Sequence, residues 1–256
     1  MSSITPLLLE FDCGNSAAKW RLIAAAGVIK SGSIFYEHGF AELLESLNVP
    51  VEQIIGCRVV SVASPETERA LKNAWQDYSV FPIKFASVQR ECFGVRSGYD
   101  DLSQMGVDRW SAVVAAQQRV DGPCVIVDAG TAITVDIVDS RSCHCGGYIF
   151  PGFDLMLDSL NEKTAIPGER IPDAADIVAT HPGKTTSAAI ANALGLAVSA
   201  FVSEVSSGAA VNATLVLTGG QAGLLAPLLK QDAIILPDLV LDGLSLLVPM
   251  ELKING

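Results

Sequence analysis

The chain has 256 residues, of which 50% are hydrophobic and only 18% are charged, so it can bury the core of one large domain or two smaller ones and is not a disordered segment. Its net charge of -11 argues against a general nucleic-acid-binding surface, which needs a positive field. The opening residues lack the basic segment of a signal peptide, and apolar runs are interrupted before they could span a bilayer. We therefore expect a cytoplasmic protein that binds neither nucleic acid nor membrane.

The chain begins with a predicted β-hairpin. Leu7–Phe11 and Ala18–Ala24 have strand-like apolar patterns, and Asp12–Ser16 forms the turn between them. A short β-branched strand is predicted at Arg58–Ala63. The pair Ser64-Pro65 then supplies an N-cap and a first helical residue, which predicts a helix to about residue 77.

The predicted domain boundary lies at Asp121-Gly122-Pro123, which separates an N-terminal domain, residues 1–121, from a C-terminal domain, residues 122–256. A glycine- and aspartate-containing loop and a helix precede this boundary, and a second apolar hairpin follows it directly. Near the end of the chain we expect a strand at Thr214–Thr218 and a turn at Gly219-Gly220. A helix to residue 229 and a last strand at Ile234–Leu236 follow.

A long helix is predicted from Thr186 onward, with one apolar face toward a sheet or another subunit. Its apolar positions recur at helical spacing, at Ile190, Leu194, Ala197 or Val198, Phe201 and Val205. The polar residues predicted on the opposite side are Asn192, Ser199 and Ser203.

One short pattern, an apolar strand followed by Asp-x-Gly, occurs twice. The first copy is DCGNS at 12–16, and the second is DAGTA at 128–132, 116 residues later. Glycine lets the backbone approach an anion, Asn or Thr adds a side-chain donor, and the aspartate can hold a cation. A single copy is more often an Asx-capped turn, but two copies that face each other across a cleft suit phosphoryl transfer. Lys19 adds a cation beside the first copy.

The segment GVDR at 106–109 places an acid and a fork of donors at a predicted helix start. The positive end of the helix dipole keeps Asp108 ionised, so that it can accept a proton from a substrate hydroxyl. Arg109 can bind a carboxylate, an amide or a phosphate. An N-capping aspartate beside a surface arginine explains the same residues.

The six cysteines lack the paired spacing of a disulfide framework. Cys143-His144-Cys145 could contribute to a metal site, but no CxxC or HxxxH motif supplies the remaining ligands. We therefore prefer the interpretation that these side chains are structural.

Together these motifs resemble type III pantothenate kinases, within the superfamily of acetate and sugar kinases, heat-shock-chaperone ATPases and actin. The resemblance covers essentially the whole chain. It rests on the ordered combination of the motifs, because no single motif is decisive. It implies an α/β fold of two duplicated ribonuclease-H-like (actin-like ATPase) domains with a cleft between them. It also implies ATP-dependent phosphorylation of pantothenate to 4'-phosphopantothenate, the first step of coenzyme A biosynthesis. The matching segments are DCGNSAAKW (12–20), GVDR (106–109), DAGTA (128–132), GGYIFPG (146–152), TGG (218–220) and LPDLVLDGL (236–244).

The resemblance also implies roles for individual residues. Asp108 is similar to the general base that takes the proton from the primary hydroxyl of pantothenate. The implied pantothenate contacts are Tyr99, Gly106, Val107, Asp108, Arg109 and Thr186. The implied nucleotide contacts are Asp12, Cys13, Gly14, Asn15, Ser16, Ala17, Ala18, Lys19, Thr131, Gly219 and Gly220. Asp128 matches the position of a monovalent cation, potassium or ammonium, and ATP itself brings magnesium.

The resemblance further implies a homodimer, because Thr186 is similar to a threonine that reaches the pantothenate of the neighbouring subunit. The chain departs from the family pattern at Ala188, where a glutamate is usual. Two other functions stay open at this point. One is an ATP-binding regulator of the same fold without turnover, which the intact acidic residues argue against. The other is a kinase of another small hydroxy compound, which Tyr99 and Arg109 argue against.

Overall fold

Two five-stranded mixed sheets form from separate parts of the chain in the computed structural model, which describes residues 5–164, 181–209 and 212–252. The described residues fall into two compact units. The first unit contains the residues up to Cys92, Asp101–Ala115 and the residues from Val240 onward. The second contains Phe93–Asp100 and Ala116–Leu239, so the end of the chain returns to the first unit.

The first sheet belongs to the first unit. Its strands are β1 (Leu7–Cys13), β2 (Ala17–Ala24), β3 (Gly27–Phe35), β4 (Ile54–Ser61) and β5 (Ile83–Phe85). They lie in the order β3-β2-β1-β4-β5, with β1 antiparallel to β2 and parallel to β4. Six of the seven residues of β1 are buried, because this central strand is covered on both faces.

The second sheet repeats this topology in the second unit. In sequence it follows a ribbon of two short strands, β6 (Glu91–Cys92) and β7 (Val95–Arg96). Its own strands are β8 (Cys124–Ala129), β9 (Ala132–Val138), β10 (His144–Pro151), β11 (Thr214–Thr218) and β12 (Ile234–Ile235). The order is β10-β9-β8-β11-β12, and β8 is antiparallel to β9 and parallel to β11. Each central strand therefore leads into one of the two Asp-x-Gly turns.

Seven α-helices lie in the described residues, with short 3-10 turns between some elements. They are α1 (Phe40–Ser46), α2 (Pro65–Tyr78), α3 (Val107–Gln117), α4 (Phe153–Lys163), α5 (Thr186–Gly208), α6 (Ala222–Leu225) and α7 (Leu239–Leu247). The predicted N-cap of α2 is present: the Ser64 hydroxyl accepts a hydrogen bond from the Thr67 N–H at 3.2 Å, and Pro65 is the first helical residue.

The long helix α5 packs one face against the core of the second sheet, as its apolar spacing predicted, but the polar side was partly misplaced. Leu194, Val198 and Val202 are buried, whereas Ala197 is exposed. Ser199 was predicted on the opposite side and is 7% exposed on the buried face, where its hydroxyl donates to the Leu196 carbonyl at 3.2 Å. A serine can satisfy its hydroxyl within its own helix, so its burial costs little. By length and composition α5 would also suit a membrane span, a test that core helices of soluble proteins pass as well.

A buried charge network ties the C-terminal segment to the first sheet. The Glu10 carboxylate, which is 0% exposed, lies between the guanidinium groups of Arg21 and Arg58. Arg21 also reaches the Asp242 carboxylate at 2.8 Å, and Arg58 donates to the carbonyl of Val248 at 3.1 Å. We refer to Glu10, Arg21 and Arg58 as the Glu10 network.

Candidate active site

The first Asp-x-Gly turn joins β1 to β2 and is held by backbone and side-chain hydrogen bonds. The Gly14 N–H donates to the Ala17 carbonyl at 3.1 Å, and the Tyr36 hydroxyl donates to the Gly14 carbonyl at 2.6 Å. Asn15 and Ser16 are exposed at its tip. The turn therefore presents polar groups outward on a fixed backbone, as a phosphate-binding loop requires.

Lys19 lies beside this turn because of strand register. It pairs directly with Asp12 across β1 and β2, and residues opposite each other in an antiparallel pair project to the same face. Both side chains are half-buried. The cation that the sequence suggested is thus on the same face of the sheet as the carboxylate.

Two residues of the predicted first loop have buried side chains. Cys13 is 2% exposed and Ala18 is 0% exposed, so only their backbone groups could face a ligand. Burial, reinforced by the charge of Asp12, raises the pKa of the Cys13 thiol to about 12. This thiol stays neutral at physiological pH and is no nucleophile.

The second turn, between β8 and β9, is one residue shorter than the first. The Gly130 N–H donates to the Ala132 carbonyl at 3.1 Å, and Asp128 pairs with Thr134 across the hairpin. In the first hairpin Asp12 pairs with Lys19, so the structural counterpart of Lys19 is Thr134. An alignment of the two copies at the constant offset of 116 residues is therefore correct for the first strand of each hairpin, but it is wrong by one residue for the second strand.

The Gly-Gly turn after β11 lies directly against Asp128. Gly219 has a φ of +90°, and a Cβ at this position would lie 2.3 Å from Oδ1 of Asp128. The Gln221 N–H donates to the Ala129 carbonyl at 2.8 Å and closes the turn over the end of β8. Glycine is needed at position 219 because the backbone has a positive φ and because there is no room for a Cβ.

The GGYIFPG motif ends at this same turn. The Gly152 N–H donates to the Thr131 carbonyl at 3.0 Å, and a Cβ on Gly152 would lie 2.4 Å from the Gly130 carbonyl oxygen. Three separate glycine-containing segments of the second unit therefore meet around Asp128 and Thr131.

The GVDR segment forms the first turn of α3. Asp108 is the second residue of the helix, and its Oδ1 accepts the Arg109 N–H at 2.8 Å. A Cβ on Gly106 would lie 2.5 Å from this oxygen, so glycine leaves room for the carboxylate. Arg109 is only 7% exposed. The alternative of a surface arginine is thus excluded, and the helix dipole favours an ionised Asp108.

An open cleft of about 540 Å³ lies beside this segment in the first unit. We call it the β4–β5 cleft, because it is lined by Ser61, the last residue of β4, and by Ser87, two residues after the end of β5. Its remaining lining residues are Val62, Val88, Leu102, Ser103, Gln104, Met105, Gly106 and Val107. Sequence reasoning missed Ser61 and Ser87, although ligands commonly bind outside the carboxyl ends of parallel strands.

Tyr99 belongs to the second unit, where it stacks on His144 with ring centroids 5.8 Å apart. His144 is 1% exposed, and its Nε2 lies 2.8 Å from the Asp136 carboxylate. His144 is therefore a buried structural side chain, whereas Cys143 is half-buried and Cys145 is exposed. Among the described residues no group of three His, Cys, Asp or Glu side chains could hold a metal ion.

Thr186 is the exposed first residue of α5. The preceding Thr185 caps the helix by accepting the Ala188 N–H at 3.1 Å. Because Thr186 projects from the helix end and is not part of a core, it is available for a contact with another molecule.

Comparison with known sequences identifies one family over nearly the whole chain. A family model for type III pantothenate kinases matches residues 8–207. A type III pantothenate kinase of Pseudomonas savastanoi pv. phaseolicola is 37% identical over 253 residues, which cover 96% of this chain and 100% of that protein. One from Pseudomonas putida KT2440 is 35% identical over 252 residues, with the same coverage.

Solved structures agree on the fold. A Campylobacter jejuni protein described as a Baf family transcriptional activator superposes with a TM-score of 0.60 at 21% identity, covering 93% of this chain and 95% of that one. The activator of 2-hydroxyisocaproyl-CoA dehydratase from Clostridium difficile gives a TM-score of 0.53 at 12% identity, covering 94% and 93%. At these identities the likeness shows the fold alone. The predicted α/β fold of two ribonuclease-H-like domains is confirmed by these neighbours and by the repeated sheet topology.

Proposed function

The chain belongs to the type III pantothenate kinase family, and from this premise we propose that it transfers the γ-phosphoryl group of ATP to the primary hydroxyl of pantothenate. The products are ADP and 4'-phosphopantothenate, in the first step of coenzyme A biosynthesis. The observation that supports this function best is the GVDR segment, in which Gly106 and Val107 line an open cleft and are followed directly by an acid in the first turn of a helix and a buried arginine.

Asp108 is the proposed general base. As the hydroxyl oxygen of pantothenate forms its bond to the γ-phosphorus, the bond from that phosphorus to the ADP oxygen breaks, and Asp108 takes the hydroxyl proton. Its Oδ1 accepts the Arg109 N–H at 2.8 Å, and its Oδ2 is the proposed proton acceptor. The dipole of α3 keeps the carboxylate ionised before the reaction.

The β4–β5 cleft is the proposed place for part of the acceptor. Its volume of about 540 Å³ lies in the range of pockets that hold small molecules. Hydroxyl groups of Ser61, Ser87 and Ser103 and the Gln104 amide give it hydrogen-bonding capacity for an amide and hydroxyls, which pantothenate contains.

The two Asp-x-Gly turns are the proposed phosphate sites. Kinases of this family use ATP with a divalent metal. ATP would supply the phosphoryl group that is transferred, and the metal would neutralise its charge. Asp12 and Asp128 are each the second-last residue of a central strand, and the described residues contain no group of three side chains that could hold a metal ion. This suits magnesium, which is usually held by one or two carboxylates together with phosphate oxygens and water.

Three further properties belong to the proposal. Asp128 helps to bind a monovalent cation, potassium or ammonium. The enzyme is a homodimer in which Thr186 of one subunit contacts the pantothenate of the other. It acts in the cytoplasm, without nucleic acid or membrane as a partner, in keeping with its net charge of -11.

The test is a coupled assay of ADP release by the purified protein with ATP, magnesium and potassium. We expect release to depend on pantothenate, and mass spectrometry to detect 4'-phosphopantothenate. Glycerol and a hexose serve as control acceptors. ADP release that does not depend on pantothenate, or that depends instead on glycerol or the hexose, would refute the proposed substrate.

A further inference from the structure

A buried polar pair lies directly behind Tyr99 in the second unit. Asp136 on β9 is 2% exposed and His144 at the start of β10 is 1% exposed, and they are joined at 2.8 Å. The Tyr99 ring is nearly parallel to the imidazole, with an interplanar angle of 9° and centroids 5.8 Å apart. Three side chains from separate segments thus form one stack from the sheet outward.

Asp136 determines the orientation of the imidazole. The other ring nitrogen of His144, Nδ1, is buried without a hydrogen-bond partner in the described part of the chain. The bond from Nε2 to Asp136 is therefore the polar contact that prevents the ring from turning about its χ2 bond. A fixed imidazole plane in turn fixes the plane on which Tyr99 stacks.

The backbone shortly before Tyr99 contacts the start of β10 and the two residues that precede it. The Arg96 N–H donates to the Ser142 carbonyl at 3.1 Å, and Arg96 forms a bridge with Cys143. A Cβ on Gly98 would lie 2.0 Å from the His144 carbonyl oxygen, so the chain passes in direct contact with β10 just before Tyr99. Backbone and ring contacts therefore act on the position of one tyrosine.

We propose that the Asp136–His144 pair is a positioning device for Tyr99 and thereby sets the KM for pantothenate. The inference rests on the proposed function, in which Tyr99 contacts that substrate. A buried ionisable pair is a poor source of stability, because well-packed apolar residues of the same volume serve as well or better. Its value here is orientation, and neither Asp136 nor His144 touches the reacting atoms.

The experiment compares four single variants and one double variant in the ADP-release assay. His144→Leu keeps the burial and removes the ring plane, and Gly98→Ala keeps the pair and pushes the chain away from β10. Both should raise the KM for pantothenate about three- to tenfold, while kcat and the KM for ATP change less than about twofold. Tyr99→Ala should give a similar rise, and adding His144→Leu to it should have no further effect. Val125→Ala, in the core of the same sheet, is the control that lowers stability and leaves the KM unchanged.

The outcomes separate this inference from the proposed function. If the wild-type enzyme phosphorylates pantothenate but both positioning variants keep its KM, or if the effects of His144→Leu and Tyr99→Ala add, the positioning role is wrong. If both variants unfold, the pair belongs to the core and the positioning role is likewise overturned. Absence of pantothenate-dependent turnover in the wild-type protein would overturn both proposals.

Discussion

Asp108 accepts the N–H of its neighbour Arg109 within the first turn of α3, which helps to orient its carboxylate. Asp108→Asn keeps the size and most hydrogen bonds of this side chain and removes the base. We expect kcat to fall about 10²- to 10⁴-fold, the usual contribution of a general base, with little change in the KM for pantothenate. Steady-state kinetics measures both values, and near-normal turnover would place the base elsewhere.

Gly219 is predicted to be irreplaceable for nucleotide binding. Gly219→Ala puts a methyl group 2.3 Å from Asp128 Oδ1 and forces a side chain into a left-handed backbone conformation. Because the turn must shift, we expect the KM for ATP to rise about tenfold or more. Gly223→Ala, where a Cβ meets nothing within 4 Å, is the matched control and should leave this KM unchanged. Equal kinetics for the two variants would contradict the placement of ATP at this turn.

Asp128 is the residue behind the predicted cation dependence. Asp128 is the second-last residue of the apolar strand β8, and its carboxylate lies next to the glycine turn. Activity measured in sodium alone should be low, and potassium or ammonium at the same ionic strength should restore it. Asp128→Asn should abolish the difference between the salts. Identical rates of the wild-type enzyme in all three salts would remove the monovalent cation from the proposal.

Individual residues show which features of the site can be predicted from the sequence and which cannot. The motifs place Asp12, Lys19 and Asp108 near turns and a helix start, and the structure agrees, because strand alternation and helix starts are local properties. The one-residue difference between the two turns was missed, since register depends on which residues pair across the hairpin. Ser61 and Ser87 also carry no local signal, because a cleft arises from the meeting of distant segments.

At the scale of elements, periodicity was a good guide for long or fully apolar segments. The strand at Thr214–Thr218 and the capped helix at Pro65–Tyr78 form at the predicted places. The strand at Gly27–Phe35 was missed. It lies at a sheet edge with eight of its nine residues exposed, and a strand without a buried face has no apolar pattern to detect.

The helix α5 carries the prediction for assembly. We expect a homodimer whose sites each combine Asp108 of one subunit with Thr186 of the other. When inactive Asp108→Asn chains are mixed with inactive Thr186→Trp chains and allowed to exchange, some heterodimers contain one intact site and activity should reappear. Light scattering at assay concentration provides the control. A monomer, or mixing without any recovery, would contradict the shared site.

At the scale of the whole molecule, the Glu10 network should dominate stability. Glu10→Gln removes the carboxylate that lies between the buried guanidinium groups of Arg21 and Arg58, so Arg58 loses its ion-pair partner and Arg21 keeps only Asp242. We expect the free energy of unfolding to fall by about 3–5 kcal/mol, measured by denaturant titration. The exposed Glu42→Gln is the control and should change it by less than about 0.5 kcal/mol. A similar small effect for Glu10→Gln would show that the arginines find other partners.

The return of the chain end to the first unit has a consequence for biosynthesis. Arg21 and Arg58 are translated well before their partners Leu241, Asp242 and Val248, which lie 190 to 221 residues further along the chain. The strands of the second sheet, which ends with Ile235, have all been translated before those partners appear. Domains usually fold in the order of their synthesis. In this protein we expect a different order, in which the core of the N-terminal sheet is completed only after Leu241, Asp242 and Val248 have been translated, and therefore after the strands of the second sheet.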